Sequence, residues 1–245
     1  MKSKFIITID VDWISDEIME YASDIFRKHE IKSTWFITHD SAQTRRLMKD
    51  KDIFEVAIHP NFLPNSTQGK SRCEVMDHLL NIYPAARIMR THSLYQSTPL
   101  FGFIQENYPQ IKLDVSMLMP HIRGAQVSRC CFSERFRNRL LYRVPYLWED
   151  DFEMMMPDTK FKFSTKNFSK DGMNILNFHP IHIVLNSRDM KRYRALKDRY
   201  GLSNLKLRDT VKFRNDKHDG VETFLRAILT KKDIDFFHFR DWIKL

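Results

Sequence analysis

Asp10 and Asp12 stand two residues apart in the stretch Thr8-Ile9-Asp10-Val11-Asp12-Trp13, and His59, His92 and His179 each follow a short apolar run. Carboxylate oxygens and neutral imidazole nitrogens are ligands for zinc and similar divalent ions, and imidazoles also move protons near neutral pH. Brought to one place, these five side chains suit metal-assisted hydrolysis. On a strand, Asp10 and Asp12 project to the same side. Two carboxylates packed together are costly unless a cation or hydrogen-bond donors compensate them. The other reading is a solvated turn that caps the next helix, because Asp is common at strand-to-helix turns. His59 follows Glu55-Val56-Ala57-Ile58 and precedes Pro60, which biases it toward extended backbone and ends the strand there. His92 stands in Arg90-Thr91-His92-Ser93, and His179 in Asn177-Phe178-His179-Pro180. Taken singly, each histidine is more often a packed, hydrogen-bonded residue, since motifs this short recur freely. The remaining histidines, among them His182 close to His179, are read as structural.

Only a particular fold makes one site of these signals. Residues 5–11 predict a buried strand, with Ser15 as the N-cap of a helix whose apolar stripe is Ile18, Tyr21, Ala22, Ile25 and Phe26. Further strands are expected at 32–38, 53–58, 87–91, 112–115, 141–146, 174–178 and 235–239. Helices are expected at 41–49, 71–82, 99–107 and 221–229. This alternation predicts an α/β fold, a distorted (β/α) barrel of about seven parallel strands. In such a barrel the C-terminal strand ends converge on one face, where active sites sit. The expectation is one domain over 1–245, with an excursion near 150–173. Trp148, Tyr95 and the run Met154-Met155-Met156 are candidate walls for a ligand, although burial tendencies favour ordinary packing for each.

The 245 residues are 42% apolar, enough for a sizeable core, and only six glycines leave no room for a long flexible stretch. The formal charge of +9 favours anionic partners. Much of it lies in Lys191, Arg192, Arg194, Lys197, Arg199, Lys206, Arg208, Lys212 and Arg214. That stretch lacks the regular aromatic interleaving of a nucleic-acid platform, so no nucleic acid is expected and a solvated face is the simpler reading. Cys73, Cys130 and Cys131 form no Cys-x-x-Cys pair and no disulfide framework, which predicts reduced thiols and a cytoplasmic location. The apolar stretch at 5–9 is too short for a signal peptide, and no run approaches the ~20 residues of a membrane span.

Taken in order, these segments resemble the NodB-homology polysaccharide deacetylases, metal-dependent enzymes on a distorted (β/α) barrel. His-Pro-Asn at 59–61 and Arg-Thr-His at 90–92 resemble the WbmS-like branch linked to lipopolysaccharide O-antigen loci. The resemblance implies Asp10 as catalytic base, Asp12 as metal ligand, Arg90 as the group orienting Asp10, and His179 as general acid. The family's His-x-x-x-His block is incomplete, because His59 matches its first position and Leu63 stands at its second. His92 is the implied replacement ligand; Asn61 or a water are the other candidates. Trp148-Glu149-Asp150 matches the family's Asp and Trp block in reversed order.

The implied activity is removal of an N-acetyl group from an amino sugar of a surface polysaccharide or lipopolysaccharide precursor, with one divalent ion, zinc first. A phosphate-linked glycan would suit the positive charge. Two other readings stay open: a hydrolase of imides or ureides on the same fold, and a catalytically silent carbohydrate- or nucleic-acid-binding domain, which Leu63 suggests. Oligomeric state is not legible.

Overall fold

The computed structural model describes residues 2–120, 122–155 and 168–244. Its strands are Ser3–Asp10 (β1), Ser33–Ile37 (β2), Phe54–Ile58 (β3), Ile88–Met89 (β4), Leu113–Asp114 (β5), Ser128–Cys130 (β6), Leu141–Arg143 (β7), Trp148–Glu149 (β8), Met173–Phe178 (β9) and Ile234–Phe236 (β10). Helices follow most of them: Asp16–His29 (α1), Ala42–Lys49 (α2), Arg72–Ile82 (α3), Thr98–Asn107 (α4), Asp150–Met155 (α5), Pro180–Leu185 (α6), Met190–Tyr200 (α7), Leu207–Thr210 (α8), Val221–Leu229 (α9) and Phe239–Trp242 (α10).

The strands run β6-β7-β5-β4-β3-β2-β1-β9-β8, and β10 also pairs with the start of β1. All pairs are parallel except β6 with β7. Every residue of β2, β3 and β9 is buried, as strands covered on both faces require. After β7 one stretch of chain changes neighbours. Tyr146 N–H donates to Met117 O at 2.9 Å, and Leu147 N–H donates to Ile175 O at 2.8 Å. That crossing curls the mixed sheet into an open, distorted (β/α) barrel.

The expected strands are present, several of them shorter, and β6 and β8 are additional, so the described residues hold ten strands where about seven were expected. Two- or three-residue strands are too short to show a period in the sequence. Ser41, Ser71 and Ser97 cap α2, α3 and α4 by accepting amide hydrogen bonds. Ser15 occupies the N-cap of α1 but donates to Leu205 O instead. The centre of the expected excursion at 150–173 lies outside the described residues.

One apolar cluster fills the barrel and includes Ile6 of β1, Ala57 of β3, Ile88 of β4 and Ile175 of β9. Strand alternation sends the residues two and four further along toward the same interior. Those residues are Thr8 and Asp10, His59, Arg90, and Asn177 and His179. At the opposite end of β3, Glu55 also faces inward, toward the floor. It accepts from Thr34 Oγ1 at 2.8 Å and from the amides of Phe239 and Arg240 at 2.8 and 3.0 Å. This is why the expected strand at 235–239 stops at Phe236: Phe239 and Arg240 begin a helical turn whose free amides are held by a buried carboxylate. Burial raises the Glu55 pKa despite these donors.

Replacing Glu55 by Ala would leave two buried donors and one part-buried donor unpaired and should lower the unfolding free energy by ~2–4 kcal/mol. Urea denaturation measures it; a change below ~1 kcal/mol would show that Glu55 does not hold the chain end.

Candidate metal centre

The base of the site is Arg90, whose side chain is fully buried. Its guanidinium carbon lies 4.3 Å from the ring centroids of both Phe36 and Tyr146, so two aromatic faces sandwich it. Its Nη1 donates to Asp10 Oδ1 at 2.8 Å and to Asn177 Oδ1 at 2.5 Å. Its Nη2 donates to Thr8 Oγ1 at 3.1 Å, and its Nε to Val115 O at 3.2 Å. The second oxygen of Asp10 accepts from Asn177 Nδ2 at 3.0 Å. Burial alone would raise the Asp10 pKa, but the Arg90 charge, helped by His59 and His179, outweighs it and holds the carboxyl below its usual value.

β1 ends at Asp10, so strand alternation does not aim Asp12. Asp12 and Trp13 take left-handed backbone angles, φ 47° and 55°, and Trp13 N–H donates to Thr38 Oγ1 at 3.1 Å. This tight turn swings the Asp12 carboxylate back over the barrel mouth. Asp12 Oδ1 lies 3.3 Å from His59 Nε2 and 3.1 Å from His92 Nδ1, and the two nitrogens are 3.3 Å apart. For metal–ligand bonds of ~2.0–2.1 Å, tetrahedral geometry places neighbouring ligand atoms about 3.3 Å apart. Both imidazole nitrogens and the carboxylate turn toward one point, while His59 Nδ1 is buried without a hydrogen-bond partner. Three electron-rich atoms this close fit a cation between them. Asp12 resists its burial through hydrogen bonds with His59 and then His92, which hold its pKa well below normal.

His92 sits on a 3-10 turn after β4, anchored by its amide to Pro60 O at 2.9 Å, with its ring near-perpendicular to that of Trp13 and the centroids 5.0 Å apart. The other candidates at the incomplete block turn elsewhere. Asn61 Oδ1 accepts from Leu63 N–H at 3.0 Å, a local turn, and the Asn61 amide donates to Gln68 Oε1 at 2.7 Å. Gln68 braces the loop by donating to Thr38 O at 2.9 Å and His59 O at 3.1 Å.

Across the mouth, His179 Nδ1 lies 2.7 Å from Asp150 Oδ1, whose partner oxygen accepts the His179 amide at 2.8 Å. The free Nε2 faces Asp12 Oδ2 at 3.8 Å and Glu149 Oε1 at 3.9 Å. Burial would push this imidazole's pKa down, but Asp150, Asp151 and Asp12 together hold it well above normal.

A family model described as WbmS-like polysaccharide deacetylase matches residues 7–197, a span that contains all of these residues. The chain belongs to this family. A solved structure from Bordetella bronchiseptica, provisionally described as a polysaccharide deacetylase involved in O-antigen biosynthesis (WbmS), is 28% identical, with a TM-score of 0.79 over 93% of this chain and 90% of that one. No curated protein matches. Membership of the WbmS-like family and the Asp12, His59 and His92 cluster together support a divalent-metal-dependent hydrolase of the NodB type, acting on an amide C–N bond.

Around this WbmS-like site lie residues that sequence reasoning did not assign. Asn177 bridges Asp10 and Arg90, and its position two before His179 in β9 was the available signal. Asp150 and Glu149 were noted only as a reversed block. Tyr146 Oη donates to Glu149 Oε2 at 2.6 Å, and burial, then the Asp151 charge, push the Glu149 pKa up to about 8. His182 is buried with Nδ1 3.1 Å from Ser187 Oγ, and burial pushes its pKa to about 3, so it stays neutral. Trp148 packs on Phe178 and Phe224, with centroids 4.9 and 5.1 Å away, and belongs to the core. Tyr95 and Met155 are exposed, and Met156 lies outside the described residues.

Two outcomes are expected. Asp12→Ala and His92→Ala should each lower bound divalent metal at least ~10-fold by elemental analysis, and unchanged occupancy in both would exclude these ligands. Glu149 has a folded pKa above its unfolded one, so its contribution to stability is full below pH 4.5 and is lost as pH rises toward about 8. Glu149→Gln should therefore gain stability relative to the parent across that window in urea melts, whereas a pH-independent difference would contradict the assignment.

Proposed function

We propose that this protein is a cytoplasmic N-deacetylase acting on an N-acetylated amino sugar of a surface polysaccharide or lipopolysaccharide precursor. One arrangement carries the reading: a carboxylate held by Arg90 and an imidazole held by Asp150 flank the cluster of Asp12, His59 and His92. The unpaired thiols of Cys73, Cys130 and Cys131 support a reducing compartment. No helix of the described residues is long and apolar enough to cross a membrane.

An acetamide carbonyl is a weak electrophile, and water is a weak nucleophile at neutral pH. A divalent ion, zinc in this reading, held by Asp12, His59 and His92 would supply charge to polarise the carbonyl and to acidify water. Asp10 is the base in this reading. Arg90 and Asn177 occupy both of its oxygens with one hydrogen bond each, which keeps it ionised and orients its remaining lone pairs. It takes the proton from the attacking water as the new C–O bond forms. His179 enters protonated, with Asp150 fixing Nδ1, so Nε2 carries a proton toward the nitrogen that departs as the C–N bond breaks. The products are acetate and a free amine. Leu63 had suggested a silent binding domain, but the His92 nitrogen in the cluster, with a base and an acid beside it, supports hydrolysis instead.

Release of acetate from N-acetylated sugars tests the proposal. Asp10→Asn and His179→Ala should each lower kcat by ~10²–10⁴-fold while bound metal persists. Activity that survives both a chelator and Asp10→Asn would rule the mechanism out.

A further inference from the structure

Residues 190–214 carry nine lysines and arginines against two carboxylates, Asp198 and Asp209, so this stretch holds a net seven of the chain's nine formal positive charges. A solvated helical face normally interleaves both signs. Here Lys206 pairs with Glu17, and Arg214 with Glu222 and Asp216. Lys191, Arg194, Lys197, Arg199, Arg208 and Lys212 form no ion pair among the described residues. Lys197 and Arg199 instead lie over the rings of Tyr193 and Tyr200.

Large apolar side chains stand outward among these cations. Val211 is 65% exposed, Tyr200 40% and Leu207 37%, and Met155 of the neighbouring α5 is 53% exposed. Leu207 and Val211 are four residues apart in consecutive helical turns, which sets them side by side on one face. A groove between α5 and α7 continues the pattern, lined among the described residues by Met154, Met155, Met190, Lys191 and Arg194. Unpaired cations around outward apolar side chains match an anionic bilayer, whose headgroups take the charge while its acyl boundary takes the apolar groups.

We propose that the face formed by α7, α8 and the turn at Val211–Phe213 docks on an anionic membrane surface. Tyr193 of α7 lines a small cavity together with Asp12, His179 and His182. Docking through α7 would therefore set a helix that walls the site against the headgroups, where a lipid-carried glycan would be presented. That last consequence rests on the deacetylase reading; the docking itself does not.

Co-sedimentation of the full chain with vesicles tests the docking. Binding is expected to phosphatidylcholine vesicles containing phosphatidylglycerol, not to phosphatidylcholine alone, and to fall in high salt. The triple change Lys191→Glu, Arg194→Glu and Lys197→Glu should weaken it at least ~10-fold. Leu207→Asp with Val211→Asp should also weaken it, with the melting curve as a control for folding. Equal binding to both vesicle types, no binding, or binding unaffected by both sets of changes overturns the proposal, as does capture of duplex DNA in preference to the anionic vesicles. Acetate release from a soluble N-acetyl sugar by the unsubstituted protein is the separate check on the hydrolase reading, and the triple variant should release it equally well. An unsubstituted protein that binds the anionic vesicles but releases no acetate would sink that reading and leave the docking in place.

Discussion

The buried guanidinium of Arg90 is the constraint on which the rest of the site depends. A cation with no exposed surface survives only if partners replace its water. Four polar partners and two ring faces do so here, drawn from β1, β2, β9 and the stretches after β5 and β7. Those elements can meet Arg90 together only when the sheet curls. The charge that fixes the Asp10 carboxylate thus also reports that the barrel has formed.

Around that cation, neighbouring titratable groups are driven to different protonation states. Asp10 is held ionised by Arg90, whereas at Glu149 burial and the Asp151 charge outweigh the nearby His179 charge and drive the pKa the other way. His179 is held charged by the Asp150 and Asp151 carboxylates, while His182, 5.8 Å away between ring centroids, is held neutral by burial and the positive neighbour. Two carboxyls, and likewise two imidazoles, take opposite protonation states here because each has different surroundings. The Asp12, His59 and His92 cluster sits at the edge of this set, where three ligand atoms converge and the charged His179 faces the second Asp12 oxygen at 3.8 Å.

Much of the fold was legible where burial imposes a period. The buried, largely apolar strands β1, β2, β3 and β9 follow directly from residue pattern. The strands β6 and β8 were not legible, because they are pairings of two or three residues dictated by neighbours. The turn at Phe239 was hidden for the same reason: the residue that caps it, Glu55, is distant in sequence. The site divides in the same way. His59, Arg90 and His179 lie on strand ends whose direction alternation predicts, and Asn177 was readable by the same rule. Asp12 reaches the cluster by two left-handed residues in succession, and although Asp tolerates that conformation, Trp does not signal it.

The sequence by itself determined which groups could do chemistry and that parallel strands would carry them to one face. Its two carboxylates near the N-terminus, its strand-end histidines and its family blocks needed only local chemistry to read. Tertiary structure decided the rest: that His92 and not Asn61 or Leu63 meets Asp12 and His59, that Asp150 and Glu149 join the site, and which carboxyl is charged. Those outcomes depend on distances such as 3.1 Å between residues 80 positions apart and 2.7 Å between residues 29 apart, and on the removal of water from around them. Neither is encoded by any single segment; both arise when the sheet closes around Arg90.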